Sequence, residues 1–167
     1  MGIIERPRRL RGTAKLRAMV RDTNVAPSSL ILPIFIREGL ISPKPIIGMP
    51  GVLQHTKESF KAQIDKALHA GIGGVMIFGI PQERDALGTE ALNPNGVLSS
   101  AIREARNIAG DDLVVAADLC LDEFTSHGHC GVLDTQGSID NDATLKIYGE
   151  MARFLPVRVL TWLVPVE

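Results

Sequence analysis

Only two cysteines, Cys120 and Cys130, occur in 167 residues, too few for a disulfide framework to be the basis of the fold. Net charge is almost absent too. Eighteen basic against 19 acidic residues leave −1, which removes the electrostatic case for a nucleic-acid or membrane-surface partner. No apolar run reaches the roughly 20 residues of a membrane-spanning helix. The start of the chain, MGIIERPRRLRG, lacks the apolar core of a secretory signal, so the expected setting is cytoplasmic. Internal repeats, low-complexity tracts and interdomain linkers are missing as well, so one domain is expected. Hydrophobic residues make up 45% and charged residues 22%, enough for a core of ordinary composition.

What is present is a succession of apolar runs and helical stripes. Residues 6–21 form a basic arm with Arg6, Arg8, Arg9, Arg11, Lys15, Arg17 and Arg21. It can be read as a phosphate binder or as a solvated arm packing on a neighbouring subunit. The second is favoured, because the rest of the chain offsets the charge. Leu30–Ile36 is apolar throughout and predicts a strand buried on both faces, although Pro33 fits only near a strand start, an edge or a bulge. A Pro/Gly-rich loop is expected over 42–51. Thr56 then predicts a helix N-cap, Phe60, Ile64, Ala67 and Leu68 a buried stripe, and Gly71 the helix end.

Gly73–Ile80 predicts the second strand, and 81–97 a long polar loop. Leu98, Ala101, Ile102, Ala105 and Ile108 predict the next helix, closed by Gly110. A third strand opens near Asp112 and runs through Leu113–Ala117. Asp140 or Asn141 can cap a last helix that carries Ala143, Ile147 and Met151. Alternating strands and helices with connections of this length imply a parallel α/β protein. Periodicity alone leaves a barrel and a doubly wound sheet both open.

Chemistry is concentrated where the third strand ends, at DLCLDEFTSHGHCG over 118–131. This stretch holds both cysteines, His127, His129, Asp118, Asp122 and Glu123. Ligands and acid–base groups just past the C-terminal end of a parallel strand are where α/β folds place reactions. Two thiolates with a carboxylate can hold Zn²⁺ and leave a position open for water or a carbonyl. Cys-x-Asp-x7-Cys is no zinc-finger spacing, however, and a buried cysteine is equally at home as a small hydrophobe. Each histidine can be a ligand, a proton-transfer group or a turn residue around Gly128, with the turn reading favoured. Asp118 is either hydrogen-bonded within the fold or aimed at a substrate amine. A zinc hydrolase using Cys120, Cys130 and a histidine is a further possibility that no complete fold supports.

The segment DLCLDEFTSHGHCGVL closely resembles the metal-binding segment of the porphobilinogen synthase family, also called 5-aminolevulinate dehydratases. The likeness runs through residues 6–152. It takes in RPRRLR, LILPIFIREG, MPGV, GVMIFGIP, LNPNGVLSSAIREAR and NDATLKIYGEMA, in the family's order. It implies an N-terminal arm over 1–28, and over 29–152 the first three to four β/α units of a TIM (β/α)8 barrel. It also implies a homo-octamer, and condensation of two 5-aminolevulinate molecules into porphobilinogen with loss of two waters, a step of haem biosynthesis. Zinc-type members hold the metal with three cysteines. The outer two match Cys120 and Cys130, and Asp122 stands in place of the middle one. Zn²⁺ is the implied metal, with Mg²⁺ the alternative because an aspartate is a harder ligand. Asp118 matches an aspartate expected to contact the substrate amino group.

The family's two Schiff-base lysines lie in the second half of its barrel. None of Lys15, Lys44, Lys57, Lys61, Lys66 or Lys146 matches either one. After Ala152 the likeness breaks off. Residues 153–167, RFLPVRVLTWLVPVE, replace an expected alanine-rich helix and a strand resembling GADVV, and Pro156 would break the helix. Permissible codons for 159–167, read one nucleotide earlier, encode Gly-Ala-Asp-Val-Val-Gly-Pro-Ser-Gly. The tail is therefore expected to be frameshifted, and the chain to be inactive alone. A non-catalytic metal-binding or assembly fragment is the alternative.

Overall fold

The computed structural model describes residues 8–155 and 162–164. The first seven residues and most of the tail read as frameshifted lie outside the described residues. Residues 8–25 are exposed throughout and carry a six-residue helix, α1 (Ala14–Met19), capped by the Thr13 hydroxyl. A single 3₁₀ turn at Pro27–Ser29 leads into the sheet.

The sheet has strands β1 (Ile31–Arg37), β2 (Lys44–Pro45), β3 (Leu53–His55), β4 (Gly74–Ile80), β5 (Val114–Asp118) and β6 (Trp162–Val164). Their spatial order is β2-β3-β1-β4-β5-β6, and only the β2–β3 pair is antiparallel. Three helices connect the parallel strands: α2 (Lys57–His69), α3 (Val97–Ala109) and α4 (Asn141–Phe154). Each crossover thus adds its strand at the same edge, β1 to β4 to β5 to β6, with no reversal of direction. A doubly wound sheet reverses at a switch point and has helices on both faces. Here the helices share one face.

That face holds the core. Ile34, Ile36, Val75, Ile77, Val115 and Ala117 point into one cluster with Phe60 and Ile64 of α2, Leu98, Ile102 and Ala105 of α3, and Met151 of α4. The opposite face is only half covered. Phe35 and Phe78 stack there with ring centroids 4.7 Å apart. By the two-residue period and the pairing of Met76 with Ala116, Asp118 belongs to this same open face. The expectation that the first strand is buried on both faces is therefore corrected. Ile31 is 45% exposed, and only Ile34 and Ile36 are buried. Pro33 is accommodated because β3 pairs with β1 only at Phe35 and Ile36, so no ladder on that side needs its missing N–H.

The helix boundaries follow their caps. Thr56 and Ser59 form a reciprocal capping box at the start of α2, and Gly71 (φ +66°) ends it in the left-handed region. The Asp140 carboxylate accepts from the Ala143 N–H at 2.9 Å to open α4. The β2–β3 hairpin occupies part of the expected loop. β6 pairs parallel with β5, Ala116 opposite Trp162, where the resemblance places a fourth strand. Among the described residues no helix is long and apolar enough to cross a membrane.

Candidate metal centre

β5 carries Val115, Ala116 and Ala117 into the interior and delivers Asp118 at its C-terminal end, only 4% exposed. The chain then turns tightly. Phe124 and Thr125 donate their N–H groups to the Leu121 carbonyl at 2.9 and 2.8 Å, and Leu121, Phe124 and Thr125 are buried beneath the turn. The Ser126 N–H reaches the Asp85 carbonyl at 2.8 Å, which ties this loop to the one after β4. The Thr125 hydroxyl donates to the His129 carbonyl at 2.9 Å and folds the chain back on itself. This return brings Cys130 over Cys120. Gly131 is required at the crossing, because a Cβ there would lie 2.7 Å from the Thr144 hydroxyl oxygen.

The outcome is a compact set of donors. One ligand atom each from Cys120, Asp122 and Cys130 lies within 4.8 Å of the others. Two sulfurs on one tetrahedral Zn²⁺ are about 3.8 Å apart, so a small closure suffices. Both cysteines are free thiols. A second set, Asp118, Asp122 and Glu123, meets the same distance limit and shares Asp122 with the first.

The electrostatics are those of a site crowded with negative groups. Burial, then the charge of Asp122, raises the Asp118 pKa to about 6. Burial raises Glu123 to about 9, helped by its hydrogen bond to Asp122 and the nearby charges, so Glu123 holds a proton at neutral pH. Burial opposes the charge of Asp122 as well. There the hydrogen bonds from the Glu123 and Cys120 side chains prevail, and the pKa is lowered. Burial pushes the Cys120 thiol up to about 12. Buried oxygens Oδ1 of Asp118 and of Asp122 have no hydrogen-bond partner. Among the described residues the ion pairs, Lys61–Glu104 and Arg106–Asp111, lie elsewhere. Two orphaned carboxylate oxygens beside two thiols, with no cation paired to them, fit a soft-to-borderline divalent metal such as Zn²⁺.

The histidines are turn residues. The His129 N–H donates to His127 Nδ1 at 3.1 Å, and the opposite nitrogen of His127 lies 3.3 Å from the Ala86 carbonyl, to which it donates. Neither ring joins a donor cluster among the described residues. One residue of the site escaped the sequence reading. Tyr148 of α4, half-buried, donates its hydroxyl to the Cys130 carbonyl at 2.6 Å and lies 3.7 Å from Cys120 Sγ. Burial raises its pKa. Its signal was faint, since it stands beside the apolar stripe, next to Ile147, and 18 residues beyond the nearer cysteine.

Comparison with known proteins identifies the family. The family described as delta-aminolevulinic acid dehydratase matches residues 4–155. A Streptomyces coelicolor delta-aminolevulinic acid dehydratase is 53% identical over 150 residues, covering 89% of this chain and 46% of that protein. A Mycobacterium tuberculosis delta-aminolevulinic acid dehydratase is 47% identical over 150 residues with the same coverage. The solved structure of the Toxoplasma gondii enzyme with its reaction product porphobilinogen superposes with a TM-score of 0.86 at 34% identity. It covers 98% of this chain and 47% of its own. The chain thus spans about half the length of these relatives, and it belongs to the delta-aminolevulinic acid dehydratase family.

Proposed function

We propose that these residues form the metal-binding half of a porphobilinogen synthase, one half of a TIM barrel. The observation that carries this reading is the convergence of Cys120, Asp122 and Cys130 within 4.8 Å at the C-terminal end of a parallel strand. Strands joined in chain order with helices on one face support the barrel, as does the likeness to the Toxoplasma gondii enzyme. Cys120, Asp122 and Cys130 would hold Zn²⁺, with Mg²⁺ the alternative that the Asp122 carboxylate admits. When bound, the metal supplies Lewis-acid polarisation of a carbonyl or a bound water.

The chain's own groups then divide the remaining work. Asp118, on the open face of the sheet, would accept a hydrogen bond from the amino group of 5-aminolevulinate and fix its orientation. Protonated Glu123 would hold Asp122 in place through their hydrogen bond. The covalent chemistry of condensing two 5-aminolevulinate molecules requires lysine amines, and here every lysine lies on the arm, in the hairpin or on a helix. The reading therefore has these 167 residues bind metal without turnover by themselves. In the intact family the working unit is a cytoplasmic homo-octamer, and the exposed basic arm over residues 8–25 is suited to packing on a neighbour. We also propose that residues 153–167 are read out of frame.

The experiment is to assay porphobilinogen formation from 5-aminolevulinate and Zn²⁺ with the purified chain. The assay is then repeated with the C-terminal half of the Streptomyces coelicolor relative added. No product alone and product on complementation support the proposal. Turnover by the chain alone would overturn it.

A further inference from the structure

We propose that Tyr148 is a positioning residue of the metal centre, holding the Cys120 and Cys130 donors at a fixed separation from the rigid face of α4. This rests on the reading of Cys120, Asp122 and Cys130 as ligands, and goes beyond it to a residue outside the ligand segment. The two cysteines sit at opposite ends of a loop whose middle is tied to the Asp85 and Ala86 carbonyls but stays largely exposed. Ser126, Gly128 and His129 are exposed, and Gly128 takes a positive φ of +75°. The Thr125–His129 and His127–His129 bonds fold Cys130 back toward Cys120, but neither of them touches either cysteine.

Helix α4 does. It is anchored by Met151 and Leu155, 0% and 1% exposed. One turn before Met151 it presents the Tyr148 hydroxyl between the two ends of the loop. The phenolic O–H donates to the Cys130 carbonyl at 2.6 Å, and the same oxygen lies 3.7 Å from Cys120 Sγ. One atom therefore touches the backbone of one ligand and the sulfur of the other. A second anchor from α4, the Thr144 hydroxyl, accepts from the Val132 N–H at 3.0 Å and donates to the Asp140 carbonyl, hydrogen-bonding to neither sulfur. The two residues separate anchoring of the loop from positioning of the donors. Groups that orient metal ligands from the next layer out typically change metal affinity about 10- to 100-fold when removed.

The test uses Co²⁺ as a spectroscopic probe and Zn²⁺ in competition with a chromophoric chelator. The 167-residue chain is compared with its Tyr148→Phe and Thr144→Val variants. Tyr148→Phe is expected to weaken Zn²⁺ about 10- to 100-fold and to shift the sulfur-to-cobalt charge-transfer bands. Thr144→Val should lower thermal stability and leave those bands in place. Unchanged affinity and bands in Tyr148→Phe would overturn the inference, and so would an equal band shift in Thr144→Val. Failure of the unsubstituted chain to bind either metal would instead remove the ligand assignment itself, and the inference with it. Tyr148 is the only tyrosine, so uniform 3-fluorotyrosine labelling reports on it without a substitution. Its fluorine resonance should move when Zn²⁺ turns the neighbouring thiol into a bound thiolate. A resonance that stays put on metal binding also overturns the inference.

Discussion

Asp118, Asp122 and Glu123 place three carboxyl groups within 4.8 Å, and their burial, together with this crowding, shapes the pH behaviour of the metal-free chain. Asp118 (about 6) and Glu123 (about 9) titrate above their unfolded values. Between those values the unfolded state has already lost its protons, so raising the pH favours unfolding. Their contribution is complete below about pH 4 and is lost as pH climbs through about 6 for Asp118 and toward about 9 for Glu123. Asp122, shifted down, acts oppositely and only in more acid solution. The urea midpoint of metal-stripped chain should therefore fall from pH 4 to pH 8, and Asp118→Asn should flatten the part near pH 6. An equal slope in Asp118→Asn would contradict the assignment. Replacing a donor should be more severe. Cys130→Ser is expected to weaken Zn²⁺ by at least about 100-fold, beyond the range for residues that only orient ligands. Asp122→Cys should tighten Zn²⁺ and weaken Mg²⁺. Chelator competition checks both. The donors were legible in the sequence because all lie within 13 residues of chain, from Asp118 to Cys130. Tyr148 was not, because only the packing of α4 brings it there. The turn role of the histidines was the favoured reading, and only the partner of His127, the Ala86 carbonyl, lay beyond the sequence.

At the scale of elements, α2, α3 and α4 were readable from apolar spacing and end signals, because each buries one stripe and each terminus has a local chemical cause. Thr56→Ala removes one half of the capping box and should cost about 1 kcal/mol, read as a lower urea midpoint at unchanged slope. Phe60, fully buried between α2 and the sheet, should cost about 3–5 kcal/mol as Phe60→Ala by the same measurement. β1 shows where the pattern misleads. Leu30–Ile36 is apolar at every position, yet its alternate residues face a surface left half open. A continuous apolar run reports that both faces can be buried, not that both are. β2 and β3 could not be read at all. They are two and three residues long, with β3 held by β1 and β2 held only by β3, too short for a pattern of their own. β6 was expected as a strand only through the family likeness. The residues there, Trp162–Val164, differ from that pattern but remain apolar, and they still pair with β5.

At the scale of the whole molecule, the described residues wind in a single direction and leave one face of the sheet half covered. The strand ends supply the donors, and on the proposed reading a second wall and the Schiff-base lysines would come from the half of the family fold that these residues do not match. Sequencing the source DNA across codons 145–167 should reveal Gly-Ala-Asp-Val-Val-like coding in the neighbouring frame. Its absence would leave the composition of residues 153–167 without that explanation. A metal-binding role for these residues requires Cys120, Asp122 and Cys130 to bind one metal together. Zinc K-edge absorption of the purified chain loaded with one equivalent of Zn²⁺ addresses that directly. Two sulfur neighbours at about 2.3 Å with oxygen completing the shell, reduced to one sulfur in Cys130→Ser, is the expected result. A shell without sulfur, or one unchanged by Cys130→Ser, would contradict it.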